Sequence, residues 1–545
     1  MKRKHFKHYI ILLSCAMFAF QSCNDLDLGP TNKFTEDTYW NSPDKAAMVL
    51  NRAYNQMLSS AYYFKTDALS DNLYEGRQSY DTKIVSSGQA NSANGRFSGE
   101  WANCYRCIKT CHIFLENVDR VPNMDENLRT RMKAEARFLR AYQFFRLATW
   151  FGDVPFFTQD ISLSESKTVS QTSRAEVLKF VHNELAEVAE ILPTKQEYAD
   201  SDNGRITAGA AIAMKARVYL YDNDWGNVAA TCEKLINTTA YGKYTLFPSY
   251  AGLFHPDNEN NEEVILDIQY VPIQRTWNDL RDWIPLSAGG RVNDVAPTQE
   301  LVDSYLTLDG LPVEEDPVYD EENPYINRDP RLSASIAHHG CTWTDPDGTE
   351  RIIYTRPGSA PDANAAVDEY GPGKPNASST GYYAKKYFDP TYTGNEINSG
   401  LNLIMLRYAD VLLMYAEAKN ELGQMTETVW NQTIRPIRER AGFTVPYALN
   451  YNASGGQTKL REIIRRERRC ELAFEDTRTC DIRRWKISEI VLNGYPHGAK
   501  FSDPTIDKGY IRGDLRMFNP ERDYWFAIPQ SQIDLNPNLK QNPNY

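Results

Sequence analysis

The sequence predicts a mainly α chain in which tetratricopeptide-like helical hairpins support a long loop-rich region within a single large domain. Three features carry this expectation. Apolar residues recur at helical spacing through residues 42–270 and again through 403–545. Two of the helical stretches resemble each other: A-E-A-R-F-L-R-A-Y from Ala134 and A-M-K-A-R-V-Y-L-Y from Ala213, which match with Ala136-Arg137 on Ala216-Arg217 once one extra residue is allowed in the second. Small residues at tight crossings with aromatics beside them suit stacked helical hairpins. Between 271 and 402 the texture changes. Of the 28 prolines, 13 fall from 270 to 400, which removes backbone donors and leaves little room for long helices. Long irregular segments inside a folded protein usually carry binding surfaces.

The N-terminus reads as an export signal over 1–22. Lys2, Arg3, Lys4 and Lys7 precede the largely apolar run Tyr9 to Phe20, followed by Gln21-Ser22-Cys23. Twelve residues of helix span about 18 Å, short of the roughly 30 Å hydrocarbon core of a bilayer. Small Ser22 before Cys23 resembles a bacterial lipobox, in which Cys23 is lipidated; Phe20 departs from the more usual leucine three positions before the cysteine. At roughly 0.8 kcal/mol per buried methylene, two or three acyl chains anchor a protein stably where one does not. Residues 23–41, with Asp25, Asp27 and Pro30, follow as a tether.

The folded body opens at Ser42-Pro43-Asp44, an N-cap, a first-turn proline and a first-turn acid. The helix behind it puts Ala46, Leu50, Ala53, Tyr54 and Met57 on one face. Further helices are expected at 100–121, 126–150 (ending at Gly152-Asp153-Val154-Pro155), 174–192, 205–223, 225–237, 403–422 and 427–441, the last closed by Gly442. Arg137 and Arg140 are expected to bridge to acids on neighbouring helices. Leu460 to Trp485 forms one apolar stripe among ten basic and six acidic residues between Lys459 and Lys486. Glu467 falls on that stripe and must be paired there; Arg465, Arg466, Arg468 and Arg469 are the candidate partners within one turn. Asp329, before Pro330 and Arg331, reads as a turn former.

Composition excludes several function classes. With 60 Lys+Arg against 72 Asp+Glu the formal charge is −12, and the acids interleave with the arginine run, so nucleic acid is not expected as a partner. Cys104, Cys107 and Cys111 share a narrow helical stripe, where free cysteine packs as a small hydrophobe, and no second ligand pair lies nearby to close a zinc site. No metal or cofactor is expected. The chain lacks a G-x-S-x-G elbow, an H-E-x-x-H helix, a G-x-x-x-x-G-K-[ST] loop and a G-x-G-x-x-G turn, so an enzyme is not expected.

The run I-I-R-R-E-R-R-C-E-L-A-F-E-D-T-R-T-C-D-I-R-R-W from Ile463 closely resembles the C-terminal helix signature of the SusD/RagB family. The Trp101 helix, A-E-A-R-F-L-R-A with its G-D-V-P stop, T-Q-E-L-V-D-S-Y-L-T-L-D-G from Thr298, N-R-D-P-R-L from Asn327 and the proline-asparagine tail from Trp525 extend the similarity from Cys23 to Tyr545. The resemblance implies a non-catalytic outer-membrane lipoprotein. It implies capture of oligosaccharide for a SusC-like TonB-dependent transporter, with hinged opening over the barrel. An envelope glycan or peptide hydrolase, a peptide-binding member of the family and a helical-repeat scaffold are the alternatives.

Sugars present flat C–H faces bounded by hydroxyls, so a capture site needs exposed aromatic rings and polar rims. Two loop regions offer both. One holds Asp71, Asn72, Tyr74, Arg77 and Tyr80; the other holds Trp277, Asn278, Trp283, Arg291 and Asn293. In the family the ligand surface comes from these two regions, although its residues vary between members.

Overall fold

The computed structural model describes residues 39–76, 80–391 and 398–545. Cys23, with the signal and most of the tether, and Arg77 lie outside these. The elements that build the body are α1 (Pro43–Asn55), α2 (Ser60–Asp67), β1 (Leu73–Glu75), α3 (Gly95–Asn117), α4 (Glu126–Phe151), α5 (Arg174–Ala189), α6 (Ala208–Tyr221), α7 (Trp225–Ile236), β2 (Val264–Ile268), β3 (Val295–Pro297), β4 (Leu403–Arg407), α8 (Tyr408–Glu421), α9 (Ile434–Ala441), α10 (Gly456–Glu471) and α11 (Arg478–Arg484).

Helices α3, α4, α5, α6, α7, α8 and α10 pack each against the next, with α1 on α3 and α4. This is the stack of hairpins expected. The chain is mainly α; the strands are short and form two-stranded pairs among the described residues. Local signals act as they should. Ser42 caps α1, accepting from the Lys45 amide at 3.4 Å, with Pro43 in the first turn. Gly442 closes α9 in the left-handed conformation at φ 103°. Arg137 and Arg140 converge on Glu184 of α5 at 2.6 and 2.7 Å. Cys104, Cys107 and Cys111 are free thiols buried on α3.

Three expectations are corrected. Residues 403–407 form a strand rather than the start of a helix. β4 pairs antiparallel with β2, and all five residues of each are buried, so a short apolar run carries no periodicity that separates strand from helix. The 427–441 segment breaks at Thr433 (φ −121°) into two helices. The 460–485 stripe also breaks, where Phe474 and Asp476 take positive φ (65° and 57°) and turn the chain from α10 into α11.

The partners of Glu467 are corrected too. Its oxygens meet Arg331 and Arg438, each at 2.7 Å, from elements distant in sequence. The four arginines beside it on α10 face elsewhere, because residues one and two apart on a helix do not face each other. Arg465 lies over Trp485, Arg466 reaches Glu314, Arg468 binds Asp410 and Asp481, and Arg469 binds Asp71. Asp329 is more than a turn former: it pairs with Arg331 at 2.7 Å, with both side chains buried.

Candidate functional site

The two loop regions meet through three residues of backbone. β1 and β3 pair antiparallel, with Tyr74 opposite Ala296 and Glu75 opposite Val295, so the loop after β1 and the loop before β3 leave the ladder at the same end. Gly76 continues it, its amide donating to the Asp294 carbonyl at 3.2 Å. A Cβ there would stand 2.3 Å from Ser379 Oγ, which is why the position takes no side chain.

Most of the expected ligand residues turn inward. Asp71 is gripped by Arg478 at 2.8 Å and Arg469 at 3.1 Å; burial pushes its carboxyl up, but the two guanidiniums outweigh that and hold it well below the usual carboxylate range. Asn72 accepts from Arg469 Nε at 2.8 Å. The Tyr74 hydroxyl donates to Asp514 at 2.7 Å, and burial together with that carboxylate raises its pKa. Trp277 and Trp283 pack on Phe64, with ring centres 5.1 and 5.6 Å away and exposures of 4% and 1%; the Trp277 indole donates to the Leu401 carbonyl. Asn293 spans the Trp283 and Val295 carbonyls. These six side chains build the floor and fix the loops. The expectation of exposed tryptophan rings is thereby corrected: a ring flanked by tight turns serves wall and surface equally well in sequence.

Of the expected ligand residues that the structure describes, three face solvent: Tyr80, Asn278 and Arg291. Arg291 makes a two-pronged ion pair with Asp282 at 2.6 and 2.9 Å. That pair raises the Arg291 pKa. Lys65 of α2 joins them, 4.8 Å above the Tyr80 ring, 3.5 Å from Asp294 and 3.9 Å from Glu75. Burial raises the Glu75 carboxyl to about 7, against the pull of Lys65. Lys65 was not among the expected residues, since a lone lysine on a helix reads as solvated; the β1–β3 pairing brings Asp294 of the other loop to it. The exposed groups of the two loops are one aromatic ring under an ammonium, a guanidinium paired with a carboxylate, and an amide, which can stack on and hydrogen-bond to a polyhydroxylated ligand. Among the described residues no group of three or more His, Cys, Asp or Glu could hold a metal ion.

Comparison with known proteins matches these features to one family. A model of the SusD family covers residues 262–545, and a second, described as starch-binding and associating with the outer membrane, covers 26–220. The SusD-like protein P2 of Formosa agariphila is 27% identical over 557 residues, spanning 99% of this chain and 100% of that protein. The starch-binding protein SusD of Bacteroides thetaiotaomicron is 27% identical over 168 residues, 29% of this chain and 28% of that one. Among solved structures, a SusD-like carbohydrate-binding protein of Bacteroides fragilis aligns at 32% identity with a TM-score of 0.82, covering 92% of this chain and all of that one. With the helical stack, the paired loops and a family model spanning more than half of its length, this chain belongs to the SusD family.

Proposed function

We propose that this protein captures oligosaccharide at the outer membrane and hands it to a SusC-like TonB-dependent transporter without breaking a bond. The observation that carries the reading is the 32% identity, over 92% of the chain, to a solved carbohydrate-binding member of the family. In this reading the sugar ring lies on Tyr80, with Asn278, Arg291 and Asp282 at its rim. Arg77 would enter from the same loop. Asp71, Asn72, Tyr74, Trp277, Trp283 and Asn293 act beneath the surface as positioning residues. Lipid on Cys23 would hold the protein to the membrane, and the body would open over the transporter barrel as a lid.

Calorimetry of the chain from residue 24 onward against a panel of soluble glycans tests capture; saturable heat with at least one glycan, reduced in a Tyr80→Ala, Arg291→Ala double variant, is expected. Heat unchanged in the variant would move the site elsewhere, and release of new reducing ends would replace capture with hydrolysis. Purification from envelopes in mild detergent tests the partner: a large barrel protein should accompany the chain, and its isolation alone, where a control complex survives, argues against the lid.

A further inference from the structure

We propose that the cleft between α9, the turn that follows it and α10 is a second saccharide site, separate from the Tyr80–Arg291 face, which seats a neutral sugar ring on Tyr447. The inference rests on the carbohydrate reading above and adds to it a place in the fold. The cleft holds about 390 Å³ and is walled by Trp430, Arg438, Tyr447, Asn450, Asn452 and Ser454 among others; none of its residues belongs to the two loops already described. That volume lies within the roughly 300–1,000 Å³ of small-ligand sites.

The platform is built before any ligand arrives. Tyr447 is 62% exposed, on a short helix, Pro446–Leu449, whose backbone is clamped from beneath. Arg438 donates to the Ala448 carbonyl at 2.6 Å and the Trp430 indole to the Leu449 carbonyl at 2.7 Å. Ala448 fits beneath only because residue 310 is glycine: a Cβ there, at φ +82°, would stand 2.6 Å from the Ala448 Cβ. An exposed aromatic ring on a backbone pinned in three places costs little to order when a flat sugar face stacks on it.

Polar groups around the ring retain unused capacity. Arg438, 5% exposed, gives Nε to Glu467 and Nη1 to Ala448, and its Nη2 makes no hydrogen bond among the described residues. Asn452 uses its oxygen on the Ser454 amide at 2.9 Å, which leaves its two N–H donors for a ligand. The charges at the rim are already paired, Lys459 with Glu315 and Glu462 at 3.2 and 3.4 Å and Arg466 with Glu314 at 3.4 Å. Nothing there demands an ion, so hydroxyls match the cleft better than carboxylate or sulfate does.

Hydrogen exchange of the chain from residue 24 onward, with laminarihexaose and separately with maltohexaose, tests this. With one of them at ten times its dissociation constant, amides in 446–459 should exchange up to about tenfold more slowly. The slowing should persist in Arg291→Ala and vanish in Tyr447→Ala, whose thermal midpoint should stay within a degree of the parent. Protection confined to 60–80 and 277–294 would overturn the second site while leaving the first standing. Protection of 446–459 that survives Tyr447→Ala, or no protection there with either sugar, would overturn it as well.

Discussion

Arg331 and Glu471 stand 140 positions apart in the chain and meet at 2.8 Å, each side chain at most 1% exposed. They are the centre of an ion network, not an isolated pair. Glu471 also receives Arg407 at 2.6 Å and Arg440, while Arg407 reaches Glu263 and Glu475, both at 2.7 Å. The network joins α10 to β4, α9 and the loop region, and so decides how the C-terminal helices sit on the rest.

Removing one member of such a network leaves buried charge without compensation, at a cost of about 3–5 kcal/mol. Glu471→Ala should therefore lower unfolding stability by that amount in urea titrations, and a loss below about 1 kcal/mol would show that the network is not structural. Burial pushes the Glu471 carboxyl up, but Arg440, Arg407 and Arg331 outweigh it and hold it below the usual range. The sign follows: its contribution is present above the unfolded carboxylate pKa and is lost as pH falls through the lower folded value, so the parent should lose its advantage over Glu471→Gln in acid.

Glu75 should behave in the opposite way. Its folded pKa of about 7 lies above the unfolded 4.5, so the folded state binds the extra proton between those values and stability falls as pH rises through that window. Of the parent's pH dependence, about 3 kcal/mol should disappear in Glu75→Gln. Parallel pH profiles for the two proteins would mean that Lys65 compensates Glu75 fully.

The floor and the face of the candidate site should separate experimentally. Trp283→Ala empties a buried volume against Phe64 and should cost about 3–5 kcal/mol, which a thermal melt detects. Arg291→Ala removes an exposed side chain and should shift the melt little, while weakening glycan binding about tenfold, as expected for loss of a charged hydrogen-bond partner. Equal affinities for parent and Arg291→Ala would remove that residue from the ligand surface.

Cys23→Ser should abolish fatty-acid labelling in cells and release the protein from membranes, since a chain without acyl groups loses about 0.8 kcal/mol for every methylene it would have buried. Labelling that persists in the variant would place the lipid on another residue.

What the sequence determined by itself was whatever is written locally. Helical periodicity, the Ser42 cap, the Gly442 stop and the matching stretches from Ala134 and Ala213 are sufficient for a stack of hairpins, because each depends on residues within a few turns of one another. The proline-rich texture likewise marked where long helices end. Only the tertiary structure decided which side of a loop faces water. Trp277 and Trp283 occupy the kind of sequence an exposed ring would, yet Phe64 and the β1–β3 ladder draw them inside. The same holds for Glu467, whose partners come from Arg331 and Arg438, and for Lys65, whose partner Asp294 lies 229 positions along the chain. Burial and ion pairing are set by chain segments that meet only on folding, so no window of sequence contains them.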